Sequence, residues 1–312
     1  FLPGDVMKIV VPDLISNSYF PAIAAVELGK FAELGVDASV ELLFPVNKAY
    51  EALRDGAVDC VAGSAHSALA AFPDWRGVKL LCAQGQGMYW FLVMRSDLAP
   101  QRGDIGIVKG KRIGAAPWVE MGLRRLLIES GFDLVRDNIT IAPVPNTGSP
   151  SANFGLMAAE ALQKGLIDGF WANGMGAEVA VTGGWGTMVI DARRGDGPPK
   201  AKHYTMAAIM TSDKMIKDHP SAVAGCVRAI VKTQKALKAD VSLATKVGKK
   251  LFPEHEAGLI AELIRRDLPY YDAAVSREFV DGMTEFQRNV GLIKGTPKYE
   301  DVVATEFSKH WA

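Results

Sequence analysis

SNSYFPAIAAVELGKFAELGV, residues Ser16–Val36, is the stretch whose reading decides the fold. Met7–Val11 (MKIVV) ahead of it reads as a strand, and Ser16, Asn17 and Ser18 with the aromatic pair Tyr19–Phe20 read as a turn. A helix follows. Pro21 suits its first turn, where a missing N–H costs nothing. Ile23, Val26, Leu28, Phe31 and Leu34 form an apolar stripe, and Gly35 is the expected stop. Ala38–Phe44 reads as a second strand, so the chain opens as a βαβ unit. The loop between strand and helix is where such units place ligands.

The alternation continues outward. Lys48–Arg54 is helical, Val58–Ala62 is a short strand ending in Gly63-Ser64, and the small-residue helix HSALAAF follows. Val78–Ala83 is a further strand. A second α/β unit begins near Lys111, with KRIGAAP as a strand, a helix over Trp118–Gly131, a strand at Ile139–Val144, a helix over Ala158–Leu166 and a last strand at Thr187–Ile190. Gly195–Pro199 is a Gly/Pro-rich break. Tyr89–Ser96 and His203–Ser212 are alike, each ending in Ser-Asp, and read as segments that cross between two lobes. Helices are expected over Pro220–Ala239, Val241–Leu251, Glu254–Arg266 and Ser276–Val290, with the tail returning to the first lobe. Strands alternating with helices predict mostly parallel sheets covered on both faces.

Strand, small polar turn, aromatic, Pro, helix, then Phe31, Glu33, Gly35, Val36 and Asp37 before the next strand, resembles the first unit of periplasmic solute-binding proteins. The similarity is to the branch holding the sulfonate-, nitrate- and taurine-binding proteins and the thiamine-pyrimidine-synthase-like proteins, and it covers almost the whole chain. It implies an α/β, two-lobed periplasmic-binding-protein (type II) fold, with two crossing strands near residues 91–97 and 203–212. The ligand would lie in a cleft that shuts like a Venus flytrap. Lobe one would be residues 1–94 plus 204–312, and lobe two residues 95–203. The implied function is capture without catalysis. A small organic ligand, aromatic or anionic (a carboxylate or sulfonate), would be delivered to the membrane subunits of an ABC importer. The same resemblance implies a monomer, no cofactor, and a periplasmic or extracellular location. Two alternatives share the fold: a pyridoxal-dependent pyrimidine-synthase-like enzyme and a ligand-sensing module. The enzyme would need a cofactor-forming Lys in the cleft and a Cys-rich stretch; the sequence has no Cys cluster, and no Lys falls in the strand-end loops expected to form the cleft.

Composition narrows the classes. Hydrophobic residues make up 49% and charged residues 22%, an ordinary globular balance. Lys+Arg and Asp+Glu are equal at 35 each, with no basic block, which argues against a nucleic-acid surface. No apolar run approaches the roughly 20 residues that span a bilayer. No basic and apolar leader precedes the first strand, as expected of a processed secreted chain or of a cytoplasmic one. Cys60, Cys82 and Cys226 read as small buried hydrophobes, with one disulfide or a reactive thiol as the alternatives. The five His residues lack metal-ligand spacing, and no nucleophile elbow or phosphate loop occurs, so no catalytic or metal residues are assigned.

Five strand-end loops would converge in a cleft: Ser16–Phe20, Gly63–Ser67, Gly85–Trp90, Ala116–Met121 and Trp171–Met175. The candidate ligand residues are Ser18, Tyr19, Phe20, Ser64, His66, Ser67, Gln86, Tyr89, Trp118, Glu120, Trp171, Asn173 and Met175. Each has a plainer alternative. Tyr19 and Phe20 could staple a helix start, Ser64–Ser67 could cap one, and Glu120 is the usual acid of a first turn. No cation lies in the five loops, so an acidic ligand would rest on helix N-termini and His66. The aromatic content suits a flat organic ligand more than a bare inorganic anion.

Overall fold

The computed structural model describes residues 1–2, 4–148 and 153–312. Its strands form two five-stranded sheets. In the first, β1 (Val6–Val11), β2 (Asp37–Leu42) and β3 (Cys60–Ser64) run parallel, with β4 (Val78–Gly85) at one edge. The second repeats the plan with β6 (Arg112–Ala115), β7 (Thr140–Ala142) and β8 (Gly169–Ala172) parallel, and β9 (Gly186–Asp191) at its edge. One antiparallel strand is exchanged. β5 (Phe91–Arg95) enters the second sheet between β8 and β9, and β10 (Ala207–Ser212) returns to the first between β3 and β4.

The chain therefore passes between sheets twice, at 86–90 and at 192–206. On this pairing we place the lobe boundaries in those two connections. The expected boundary at 94/95 falls inside β5, all of which pairs in the second sheet.

The helices cover both faces. Lobe one carries α1 (Phe20–Glu27) and α2 (Val46–Arg54), and lobe two carries α3 (Glu120–Glu129), α4 (Phe154–Gln163) and α5 (Gly174–Gly183). Then come α6 (Asp213–Asp218), α7 (Pro220–Ala239), α8 (Ser242–Leu251), α9 (Glu254–Asp267), α10 (Arg277–Asn289) and α11 (Tyr299–Val302). Local sequence explains their starts. Pro occupies the first turn of α1 and α7, while Ser212 and Ser276 accept from the backbone N–H of Met215 and Phe279 at the heads of α6 and α10. The tail does return to lobe one: Trp311 Nε1 donates to the Leu81 carbonyl at 2.9 Å, and Val303 bridges Leu80.

The expected helix HSALAAF is a 3-10 helix over Ala65–Ala70, and the opening helix also departs from expectation. The first helix stops at Glu27 instead of running to Gly35, because Gly29 turns the backbone left-handed at φ 74°. A short 3-10 turn at Ala32–Leu34 resumes the course, and Gly35 ends that turn. Phe31, 2% exposed, packs into the same core as Ala22 and Ala25, so the apolar stripe continues across a break in the helix. All three cysteines are buried and unpaired. Among the described residues no helix is long and apolar enough to cross a membrane.

Candidate functional site

The C-terminal ends of β1, β3, β6 and β8 face one another across the lobes, and a cavity lies between them. Pro12, Asp13, Tyr19, Phe44 and Val46 of lobe one line it, with Trp90 from the first connection. Ala116, Pro117, Val119, Phe154, Ala172 and Asn173 close it from lobe two. Phe44 and Phe154 stack across the interface, with ring centroids 5.9 Å apart and planes 19° from parallel. The cavity holds about 380 Å³ of atom-free space, and the Phe44–Phe154 stack and the Asp13–Asn173 bond cross it, so the lobes are shut. An organic molecule enters only if they part. A wider groove on lobe one, lined by Trp75, Arg76, Lys79 and Asp213, lies at the opposite ends of β4 and β10 and faces open solvent.

Asp13, two residues past the end of β1, is the chemical centre of the cavity. Its Oδ2 accepts from Asn173 Nδ2 at 2.7 Å and from the backbone N–H of Gly155 at 3.1 Å, and Oδ1 accepts from the Ile15 N–H at 3.2 Å. Asn173 also caps α5, accepting from the Gly176 N–H at 3.1 Å. Asn153 reaches the other way, its Oδ1 accepting from the N–H groups of Leu14 and Ile15 at 2.9 and 3.2 Å. These bonds join the lobes residue to residue. Burial pushes the Asp13 carboxyl up to about 7, against the pull of its three donors. The close approach of the lobes needs a small residue at Gly174, where a Cβ would meet the Asn17 side chain at 2.8 Å; within lobe two, a Cβ on Gly176 would meet the Gly155 carbonyl of α4 at 2.5 Å.

Of the thirteen candidate residues, Tyr19 and Asn173 line the cavity. Tyr19 shares a 2.9 Å hydrogen bond with the hydroxyl of Tyr89. Tyr89 and Ser18 line a smaller polar cavity behind that pair, with Asn17, Gln84, Arg193, Asp267 and Tyr271. There Arg193 and Asp267 form a buried ion pair at 2.5 Å, and Asn17 Nδ2 donates to Asp267 at 2.7 Å. Arg193 comes from the second connection, outside the five loops. It is a cation the loop-by-loop reading did not reach.

His66 and Trp118 join the lobes beside the cavity. His66 Nε2 donates to the Trp118 carbonyl at 2.9 Å, which fixes the Nε2–H tautomer, and burial lowers its pKa to about 4. Trp118 holds a left-handed φ of 70°, and its side chain packs against lobe one. Ser64 and Ser67 hydrogen-bond each other, both buried, while the Ser64 carbonyl accepts from Tyr50 OH at 2.8 Å. Glu120 is half-buried at the head of α3, and burial raises its pKa.

Four candidates point elsewhere. Phe20 packs on Ile23 and Phe252 within lobe one, and Met175 joins the same cluster from lobe two. Trp171 is fully buried in β8, since helices cover both faces of its sheet. Gln86 is tied to the carbonyls of Asp272 and Ala274 at 2.8 and 2.6 Å. None of these four lines the cavity, whereas Asp13, Phe44 and Phe154, absent from the candidates, do.

No protein-family model and no curated protein matches the sequence. Solved structures do match. A protein from Bordetella bronchiseptica RB50 superposes with a TM-score of 0.78 at 17% identity, over 97% of this chain and 96% of its own. The periplasmic nitrate-binding protein NrtA from Synechocystis PCC 6803 matches with a TM-score of 0.72 at 12% identity, over 98% and 88%. The alkanesulfonate-binding protein SsuA from Xanthomonas axonopodis pv. citri, bound to MOPS, matches with 0.71 at 13% identity, over 97% of each chain. Two sheets exchanging one strand each, with a cavity between their C-terminal edges, are thus the fold of periplasmic binding proteins, and this chain has that fold.

Proposed function

We propose that this chain is an extracytoplasmic solute-binding protein that closes on one small, flat organic ligand and presents the closed form to an ABC importer. The observation that carries this is the interlobe cavity, walled by Tyr19, Phe44, Trp90 and Phe154 and bridged by Asp13 and Asn173. Aromatic walls bury a flat ring at high contact area, and the few polar groups fix its orientation. Contacts to both lobes favour the closed state only to the extent that the ligand binds it better than the open one. The protein makes and breaks no covalent bond in this reading. It works as a monomer in the periplasm or outside the cell, and the membrane subunits recognise closure.

A thermal-shift screen of the refolded protein tests this. The panel holds aryl carboxylates, aryl and alkyl sulfonates, nitrate, taurine, aromatic amines and aminopyrimidines. A ligand at about 100 times its Kd stabilises by about 2.7 kcal/mol, a shift of several degrees. A hit abolished by Trp90→Ala supports the reading. A hit indifferent to Trp90 and Asn173 places the ligand elsewhere and refutes it.

A further inference from the structure

Helix N-termini are ready-made anion sites, because their first N–H groups lack partners and carry the positive end of the helix dipole. In lobe two, the heads of α4 and α5 both open on the cleft. They are already occupied. Asp13, from lobe one, accepts from the second N–H of α4 at Gly155 and from the N-cap side chain of α5 at Asn173. The chain thus supplies its own carboxylate where an acidic ligand would dock. No Lys, Arg or His is among the described residues lining the cavity. The nearby buried cation, Arg193, is paired with Asp267 behind the two tyrosines.

A carboxylate has room for about four hydrogens, and the three donors to Asp13 among the described residues leave one site. Around it stand Tyr19, Phe44, Trp90 and Phe154. Rings of this kind attract a cation over their faces, and a buried carboxylate without a countercharge is costly. Burial holds the Asp13 carboxyl at about 7, so a cationic ligand draws it into the ionised form, whereas an acidic ligand pushes it further up and meets donors already spent.

From this arrangement we propose that the cleft takes a positively charged, flat, nitrogen-bearing aromatic ligand, such as an aryl amidine or a protonated amino-heterocycle, and rejects aryl carboxylates and sulfonates. This rests on the solute-binding reading and reverses the charge expected from sequence. The ligand nitrogen takes the open site of Asp13 while its ring lies between the aromatic walls.

The test is calorimetry on the full chain with three matched probes, benzamidinium, benzamide and benzoate, which share one shape and differ in charge. Benzamidinium is expected to bind at least tenfold tighter than benzoate, with benzamide between. Asp13→Asn should shrink that preference to threefold or less. Because that variant could fail to fold, the wild-type ranking decides. Benzoate binding as tightly as benzamidinium, or tighter, overturns the charge assignment and leaves the solute-binding reading standing. No binding of any probe overturns the assignment, and silence across the wider screen would overturn the solute-binding reading as well.

Discussion

Asn173 performs two tasks that substitution can separate. Its Oδ1 caps α5 through Gly176, and its Nδ2 bonds Asp13 across the cleft at 2.7 Å. Asn173→Ser keeps a capping oxygen but is too short to reach Asp13, whereas Asn173→Ala loses both. Above pH 7, where Asp13 is ionised, a hydrogen bond to this charged group contributes about 1.5–3 kcal/mol, and a lost cap costs about 1 kcal/mol. The Asp13 bond exists only when the lobes are together, so its loss falls on closure. At 1.4 kcal/mol per factor of ten, Asn173→Ser should weaken ligand binding by about 10- to 150-fold. It should leave the melting temperature of the ligand-free protein nearly unchanged. Asn173→Ala should weaken binding equally and melt about 1–2 °C lower as well. Calorimetry with the best ligand of the screen, beside thermal melts of both variants, reads these out. Wild-type affinity in Asn173→Ser would refute the assignment of this bond to closure.

Three further outcomes follow from burial and charge. Because burial lowers the folded-state pKa of His66 from 6.5 to about 4, the unfolded chain takes up the proton first as pH falls. This contribution is complete above pH 6.5 and is lost towards pH 4, by about 3 kcal/mol in all, so urea titrations should show His66→Gln with a flatter acid limb than wild type. The buried pair of Arg193 and Asp267 should behave as a unit: Arg193→Met alone should cost about 3–5 kcal/mol by stranding the carboxylate, and adding Asp267→Asn should recover much of it. Trp171→Ala should lower stability by about 3–5 kcal/mol, as expected for a fully buried ring. Its lost stability, and not a lost ligand contact, should account for any binding defect, which calorimetry below its melting temperature can show.

The alternation of strands and helices was legible almost throughout, because caps and apolar periods are local. Ser276 and Pro220 marked α10 and α7 to within a residue. The first helix was overextended for the opposite reason. Val26, Phe31 and Leu34 of its stripe pack on one core, while Ile23 and Leu28 pack on another, so Leu28-Gly29-Lys30 breaks the helix without exposing the stripe. The loops of the site were legible as strand ends, but the direction of each side chain was not. Trp171 sits inside β8, where both faces of the sheet are covered, so an aromatic beside a cleft loop became core. Asp13 lies two residues past β1, yet its partners in the other lobe lie 142 and 160 residues away, and no local pattern announces them. Phe44 and Phe154 acquire a role only by stacking across the cleft.

Closure itself is open to direct measurement. Asp55 at the end of α2 and Gln163 at the end of α4 are exposed and belong to opposite lobes, and the native cysteines are buried, so cysteines introduced at these two positions can carry spin labels. Pulsed electron-electron distance measurement without ligand should show a broad distribution that includes separated lobes. With saturating ligand it should narrow to the short distance of the closed structure. A distribution unchanged by a ligand that calorimetry shows to be bound would contradict capture by closure.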